Sequence, residues 1–197
     1  MNVNDNINME YEARVMLTEE QYLLIKEKYE KEHPGYKSST NINHYFDTED
    51  LYLTNHNMVL RLREVENKQA ELTLKIQEEN GCVEINHYLT DEQSKLLLEN
   101  KVFPESEIIK KLMELDINIK SLKLVGYLKT ERLEFQFNDH LFVIDKNYFK
   151  DREDFNLEVE SDTENHAKSI LIDKISPFGI TYKKDYINKA KRAIYNL

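Results

Sequence analysis

The sequence predicts an α+β fold: a closed or nearly closed antiparallel β-barrel with a polar strand face, flanked by helices. Three observations predict it. Charged residues recur at alternate positions in Glu10-Tyr11-Glu12-Ala13-Arg14, Arg61-Leu62-Arg63, Thr73-Leu74-Lys75 and Glu158-Val159-Glu160, and on a strand that period puts the polar side chains on one face and the apolar ones on the other. Runs of β-favouring residues are joined by short turns, which makes antiparallel neighbours. Helix-opening capping boxes punctuate these runs at Thr18-Glu19-Glu20-Gln21, Thr90-Asp91-Glu92-Gln93 and Ser161-Asp162-Thr163-Glu164.

Taken in order, the charged strand around residues 10–14 feeds a helix from the first capping box to about Glu32, with Tyr22, Ile25 and Tyr29 on one stripe and His33-Pro34-Gly35 as its stop. Strands follow over residues 43–46, 59–65, 70–76 and 83–89. Their turns are Asn55-His56-Asn57, Glu66-Asn67-Lys68 and Glu79-Asn80-Gly81. The second capping box opens a leucine-rich helix, and Pro104 precedes another over residues 105–115, so two helices form an insert between sheet segments. A long hairpin is expected over residues 121–137 and 140–146 with Asn138-Asp139 at its turn, then a strand over residues 155–160. The third box starts a helix carrying Ala167, Ile170, Leu171 and Ile175, closed by Pro177 and Gly179, and a last helix covers about residues 186–195. A Glu-x-Glu strand, a short gap, a capping box and a helix thus follow each other twice, once from Glu10 and once from Glu158, as a weak internal pseudo-repeat. No linker or low-complexity stretch divides the chain, so residues 1–197 are expected to form one domain.

Composition narrows the function classes. With 37 acidic and 27 basic residues, the net charge of −10 argues against a nucleic-acid binder built on a broad basic surface. The single cysteine, Cys82, cannot form an internal disulfide, which fits a reducing cytosol. Residues 1–8 are polar and no segment approaches the roughly 20 apolar residues of a membrane span. A soluble cytoplasmic protein without membrane or nucleic-acid partners is expected.

Any one alternating strand can be an ordinary sheet with a solvated face. The set is more informative, because arginine pairs and glutamate pairs occupy separate strands. Acids clustered alone would repel, as would arginines; a bound metal for the first and a bound polyanion for the second relieves both. The four glycines are scattered, so no glycine-rich loop can cradle phosphate with backbone amides. Side chains must do it, and Arg61, Arg63, Lys75 and Arg132 make a chemically sensible clamp. Carboxylates without histidine or cysteine partners select hard cations, Mg²⁺ or Mn²⁺. The six histidines show no ligand spacing, and no nucleophile motif is present.

Glu10-x-Glu12-x-Arg14, residues 43–48 (Asn-His-Tyr-Phe-Asp-Thr), Leu60-Arg61-Leu62-Arg63, Glu71-Leu72-Thr73-Leu74-Lys75, Arg132, Ile144-Asp145 and Leu157-Glu158-Val159-Glu160 together resemble the ordered signatures of the CYTH superfamily, the triphosphate tunnel metalloenzymes. The resemblance implies an eight-stranded antiparallel tunnel that takes a triphosphate. It implies that Glu10, Glu12, Asp145, Glu158 and Glu160 hold the divalent metal, with Glu10, Glu12 and Glu160 central to catalysis. It likewise implies that Arg14, Arg61, Arg63, Lys75, Arg132 and Lys189 hold the triphosphate, Asn188-Lys189 standing where the family has Ser-Lys. Glu84 sits where members often carry an acid.

One departure concerns mechanism. The family usually has lysine where this chain has Arg14, and a guanidinium, with a pKa above about 12, is a poor proton acceptor. Metal-dependent hydrolysis of inorganic triphosphate, or of a small organic triphosphate such as thiamine triphosphate, is the activity the resemblance implies. An adenylate cyclase of the same superfamily and a non-catalytic polyphosphate or nucleotide binder are the alternatives. Oligomeric state is not legible in the sequence.

Overall fold

The computed structural model describes residues 5–79, 81–184 and 187–197. Eight strands, β1 (Asp5–Leu17), β2 (Lys37–Asp47), β3 (Met58–Val65), β4 (Ala70–Glu78), β5 (Gly81–Leu89), β6 (Lys123–Gln136), β7 (Leu141–Tyr148) and β8 (Glu153–Ser161), close an antiparallel barrel in the order β1-β5-β4-β3-β2-β6-β7-β8. Among the described residues six α-helices accompany it: α1 (Glu19–Glu32), α2 (Tyr52–Asn55), α3 (Asp91–Asn100), α4 (Glu107–Glu114), α5 (Glu164–Ile175) and α6 (Lys189–Tyr195). Among the described residues no helix is long and apolar enough to cross a membrane. Two compact units divide the chain: a first of Ile42–Tyr127 with the described residues up to Met9 and Lys189–Leu197, and a second of Glu10–Asn41 and Leu128–Asn188.

In the second unit the period-2 pattern sorts the strands as expected. Ala13, Val15 and Leu17 of β1, Phe142 and Ile144 of β7, and Phe155, Leu157 and Val159 of β8 enter one apolar core with Tyr22, Ile25 and Tyr29 of α1 and Ala167, Leu171 and Ile175 of α5. Each fully buried side chain of this size contributes about 1.5–3 kcal/mol. Tyr29 stacks on Phe142 with ring centroids 4.4 Å apart, which fixes α1 against β7. The residues of opposite parity, Glu12, Arg14, Arg132, Asp145, Asn156, Glu158 and Glu160, therefore share the other face of these strands.

The first unit repeats the device. Met58, Leu60 and Leu62 of β3, Ala70, Leu72 and Leu74 of β4, and Ile85 and Leu89 of β5 form its core with Leu97 of α3 and Ile108 and Leu112 of α4. Arg61, Arg63, Thr73 and Lys75 lie on the other face.

The capping boxes at Thr18/Gln21 and Thr90/Gln93 are formed, each with reciprocal side-chain and backbone bonds. At the third, the cap is Thr163, whose hydroxyl accepts from the His166 amide. Ser161 instead ends β8, because its backbone still pairs with Tyr11 of β1. Helix α2 occupies part of the segment read as a turn. Its amides are held by a distant carboxylate: Asp47 accepts from the backbone of Leu53 and Thr54 at 2.9 Å each. Tyr186, the expected start of the last helix, and Asn80 of the third turn lie outside the described residues.

Candidate functional site

The acids of the second unit lie on β1, β7 and β8, and register places them. Glu12 is directly opposite Glu160, and Arg14 opposite Glu158; like charges directly opposed on a sheet destabilise it. Glu12 is 37% exposed, Glu160 is partly exposed, and Glu10 lies two residues before Glu12 on the same strand face. Arg14 is buried, with Nη1 3.7 Å from Glu158 and 3.9 Å from Glu12, and its Nη2 donates to the Ile187 carbonyl at 3.3 Å.

Deeper in the same unit, Arg132 and Asp145 are register partners on β6 and β7 and meet through two parallel bonds, Nε to Oδ1 at 2.9 Å and Nη2 to Oδ2 at 2.8 Å. Nη2 also donates to Glu158 at 3.0 Å. This is the bidentate geometry that arginine's fork favours. Burial works against the Arg132 cation, yet Asp145 and Glu158 beside it hold its pKa well above the ordinary guanidinium value.

The first unit is organised differently. Arg61 is 9% exposed; its Nη2 donates to Thr73 at 3.3 Å, while its Nε is buried without a hydrogen-bond partner among the described residues. Arg63 donates to Asn43 at 3.2 Å. Lys75 is paired with Glu84, its register partner on β5. Tyr45 is buried among these cations: burial raises its phenol pKa, while the charges of Arg61, Arg63, Lys75 and Arg192 pull it down.

Of the residues singled out from the sequence, the structure brings Glu12, Arg14, Glu158 and Glu160 together on paired strands, and joins Arg132 to Asp145 and Glu158. Arg61, Arg63 and Lys75 share the neighbourhood of Tyr45 in the first unit. Lys189, the first residue of α6, belongs to that unit too and is half-buried. The sequence does not single out Arg192, which is 6% exposed and adds its field at Tyr45. Its signal was faint, one basic residue among several in a short helix. Lys184 is a surface charge, pairing with Glu164 at 2.6 Å.

Among the described residues no three carboxylate, histidine or cysteine side chains are already gathered to hold an ion. The donors nevertheless suit a hard divalent cation in kind. Glu12 and Glu160 face each other with the same charge and remain reachable by a hydrated ion, which Mg²⁺ and Mn²⁺ chemistry prefers.

Comparison with curated proteins finds no match. Among solved structures, the chain is similar to a provisionally assigned adenylate cyclase of Bacillus halodurans at 28% identity, with a TM-score of 0.85 over 94% of this chain and 97% of that one. It shares its fold with HpAC1 of Hippeastrum, a provisionally assigned adenylyl cyclase described as having a dominant triphosphatase activity. There the identity is 17% and the TM-score 0.79, over 93% and 94% of the two chains. The PH1012 protein of Pyrococcus horikoshii has the same fold at 19% identity and a TM-score of 0.58, over 89% and 93%. The CYTH domain profile matches residues 8–193, nearly the whole chain and all the charged strands just described, and the protein therefore belongs to the CYTH family.

Proposed function

We propose that this protein hydrolyses the terminal phosphoanhydride of inorganic triphosphate or of a small organic triphosphate such as thiamine triphosphate, with Mg²⁺ or Mn²⁺ as its cation, and that residues 1–197 act as one domain in the cytoplasm. The observation that carries this reading is Arg61: a guanidinium 9% exposed, with a buried Nε that has no partner and no carboxylate paired with it among the described residues. A cation removed from water without a counter-charge is costly, and a polyanion offsets that cost. Arg63, Lys75, Lys189 and Arg192 add charge of the same sign in the same unit.

Glu10, Glu12 and Glu160 would hold the cation, with Glu158 and Asp145 as further acids whose charge is shared with Arg132 and Arg14. When bound, a divalent ion of this kind lowers the pKa of a coordinated water and polarises phosphoryl oxygens. Arg14 and Arg132 stabilise negative charge on the transferring group; as permanent cations they do not accept the proton of the attacking water. The Lys75–Glu84 pair keeps the ammonium oriented without removing its charge from the neighbourhood of Arg61.

A cyclase reading is favoured by the provisional assignment of the Bacillus halodurans relative. One experiment separates the two. Phosphate release from inorganic triphosphate, thiamine triphosphate and ATP is measured with Mg²⁺ or Mn²⁺, alongside cyclic AMP formation, for the unsubstituted chain and Glu12→Gln. Metal-dependent phosphate release that Glu12→Gln abolishes is the expected result. Cyclic AMP as the main product of ATP would replace the proposal with a cyclase, and tight triphosphate binding without turnover would replace it with a binding protein.

A further inference from the structure

A ladder of buried polar side chains crosses β6, β7 and β8 in the second unit and ends on Asp145. Thr130 Oγ1 donates to Asn147 Oδ1 at 2.9 Å, Asn147 Nδ2 donates to Asn156 Oδ1 at 2.7 Å, and Asn156 Nδ2 approaches Asp145 Oδ2 at 3.5 Å. Thr130, Asn147, Asn156 and Asp145 are all essentially removed from solvent. Apolar side chains would fill this space at lower cost, since every buried amide must find its bonds. We infer that Asn156, backed by Asn147 and Thr130, is a positioning residue that orients Asp145 and, through it, the Arg132 guanidinium toward the anionic substrate. The inference rests on the reading of Arg132 as a triphosphate-binding side chain.

The geometry supplies the argument. Arg132 spends Nε and Nη2 on Asp145 and Glu158, so Nη1 is the corner of the fork that makes no hydrogen bond among the described residues and is left for a ligand. A bidentate pair is planar, so the plane of the Asp145 carboxylate sets the direction of Nη1. Asp145 lies directly opposite Asn156 in the β7–β8 register, where an amide donor limits rotation of the carboxylate about its last torsion. The amides themselves have one satisfactory orientation. Asn147 Nδ2 also donates to Asp154 Oδ1 at 3.0 Å; turning either amide end for end would set an oxygen against a carboxylate. Neutral amides suit this place, because a third carboxylate would compete for Arg132 and a cation would compete for Asp145.

The test is a double-substitution cycle read by calorimetric binding of inorganic triphosphate to the full chain with Mg²⁺, with thermal unfolding recorded for each variant. Asn156→Leu keeps the volume and removes the donor; it is expected to weaken binding about fivefold, within the range of one hydrogen bond. Asn156→Ser, smaller and still a donor, should recover most of that loss and serves if Asn156→Leu does not fold. In an Arg132→Lys background, which lacks the fork, Asn156→Leu should cost less than about twofold, because residues acting through one another are not additive. Equal losses in both backgrounds, or no loss from Asn156→Leu, would overturn the inference and leave the functional reading intact, as would an Arg132→Lys variant that binds normally. If the unsubstituted chain does not bind triphosphate, the functional reading falls and takes the inference with it.

Discussion

In the second unit every predicted phosphate-binding arginine already has acids of its own chain: Arg132 holds Asp145 and Glu158, and Arg14 lies between Glu158 and Glu12. In the first unit Arg61 is as deeply buried and, among the described residues, its side chain is held by the Thr73 hydroxyl alone. The same residue type thus serves two ends. Neutralised internally, an arginine is part of the structure and its direction is fixed before any ligand arrives. Left without a carboxylate, it is a standing demand for an anion from outside. Burial alone does not distinguish these cases; the partner inventory does.

The largest expected effect comes from breaking the internally neutralised pair. Asp145→Ala takes the bidentate partner from a buried guanidinium, leaving it Glu158, and should destabilise the protein by about 3 kcal/mol in denaturant unfolding, whereas the double variant Arg132→Leu/Asp145→Leu should recover most of that loss. Loss from the double variant as large as from the single one would remove the contrast between the units. Arg61→Met sharpens it from the other side. This variant should unfold within about 1 kcal/mol of the parent, or be more stable, since it removes an uncompensated buried charge. Its affinity for inorganic triphosphate should nevertheless fall by about 2 kcal/mol or more, the loss of charge-assisted hydrogen bonds.

Relief of the Glu12–Glu160 opposition is smaller. In the absence of divalent cations, Glu12→Gln should raise stability by a few tenths of a kcal/mol, about what a like-charged cross-strand pair costs, and saturating Mg²⁺ should stabilise the parent but not the variant. The smallest effect is one of pH and again belongs to the second unit. A hydrogen bond from His166 holds the Asp162 carboxyl below its ordinary value of 3.8, and one from His140 does the same for Asp139. Carboxyl groups with lowered folded pKa values contribute stability that is complete above 3.8 and fades as pH falls through the lower folded values. The urea midpoint should therefore decline below about pH 4 in the parent, and less steeply in His166→Ala.

The first-unit cations Arg61, Arg63 and Lys75 were legible because their strands alternate strictly, and the same regularity exposed Glu10, Glu12, Glu158 and Glu160. Arg192 was not, since one buried turn of a seven-residue helix leaves no periodic trace. Nor could Asn147 and Asn156 be singled out: an asparagine reads as a turn or surface residue until register sets it against a carboxylate. Helix α2 was hidden for a related reason, as the Asp47 carboxylate that caps it stands outside the segment.

What the sequence by itself determined is local: the capping boxes at Thr18 and Thr90, the alternation that sends Leu60, Leu62, Leu72 and Leu74 to one face and Arg61, Arg63 and Lys75 to the other, and the family to which that ordered pattern belongs. These follow from backbone geometry and from hydrogen bonds spanning three or four residues. Only the tertiary structure decided partnership. Which carboxylate neutralises Arg132, which arginine stays without one, and which amide stands behind Asp145 depend on strand register between residues far apart in the chain. A one-residue slip would change every pair while leaving each strand's pattern intact.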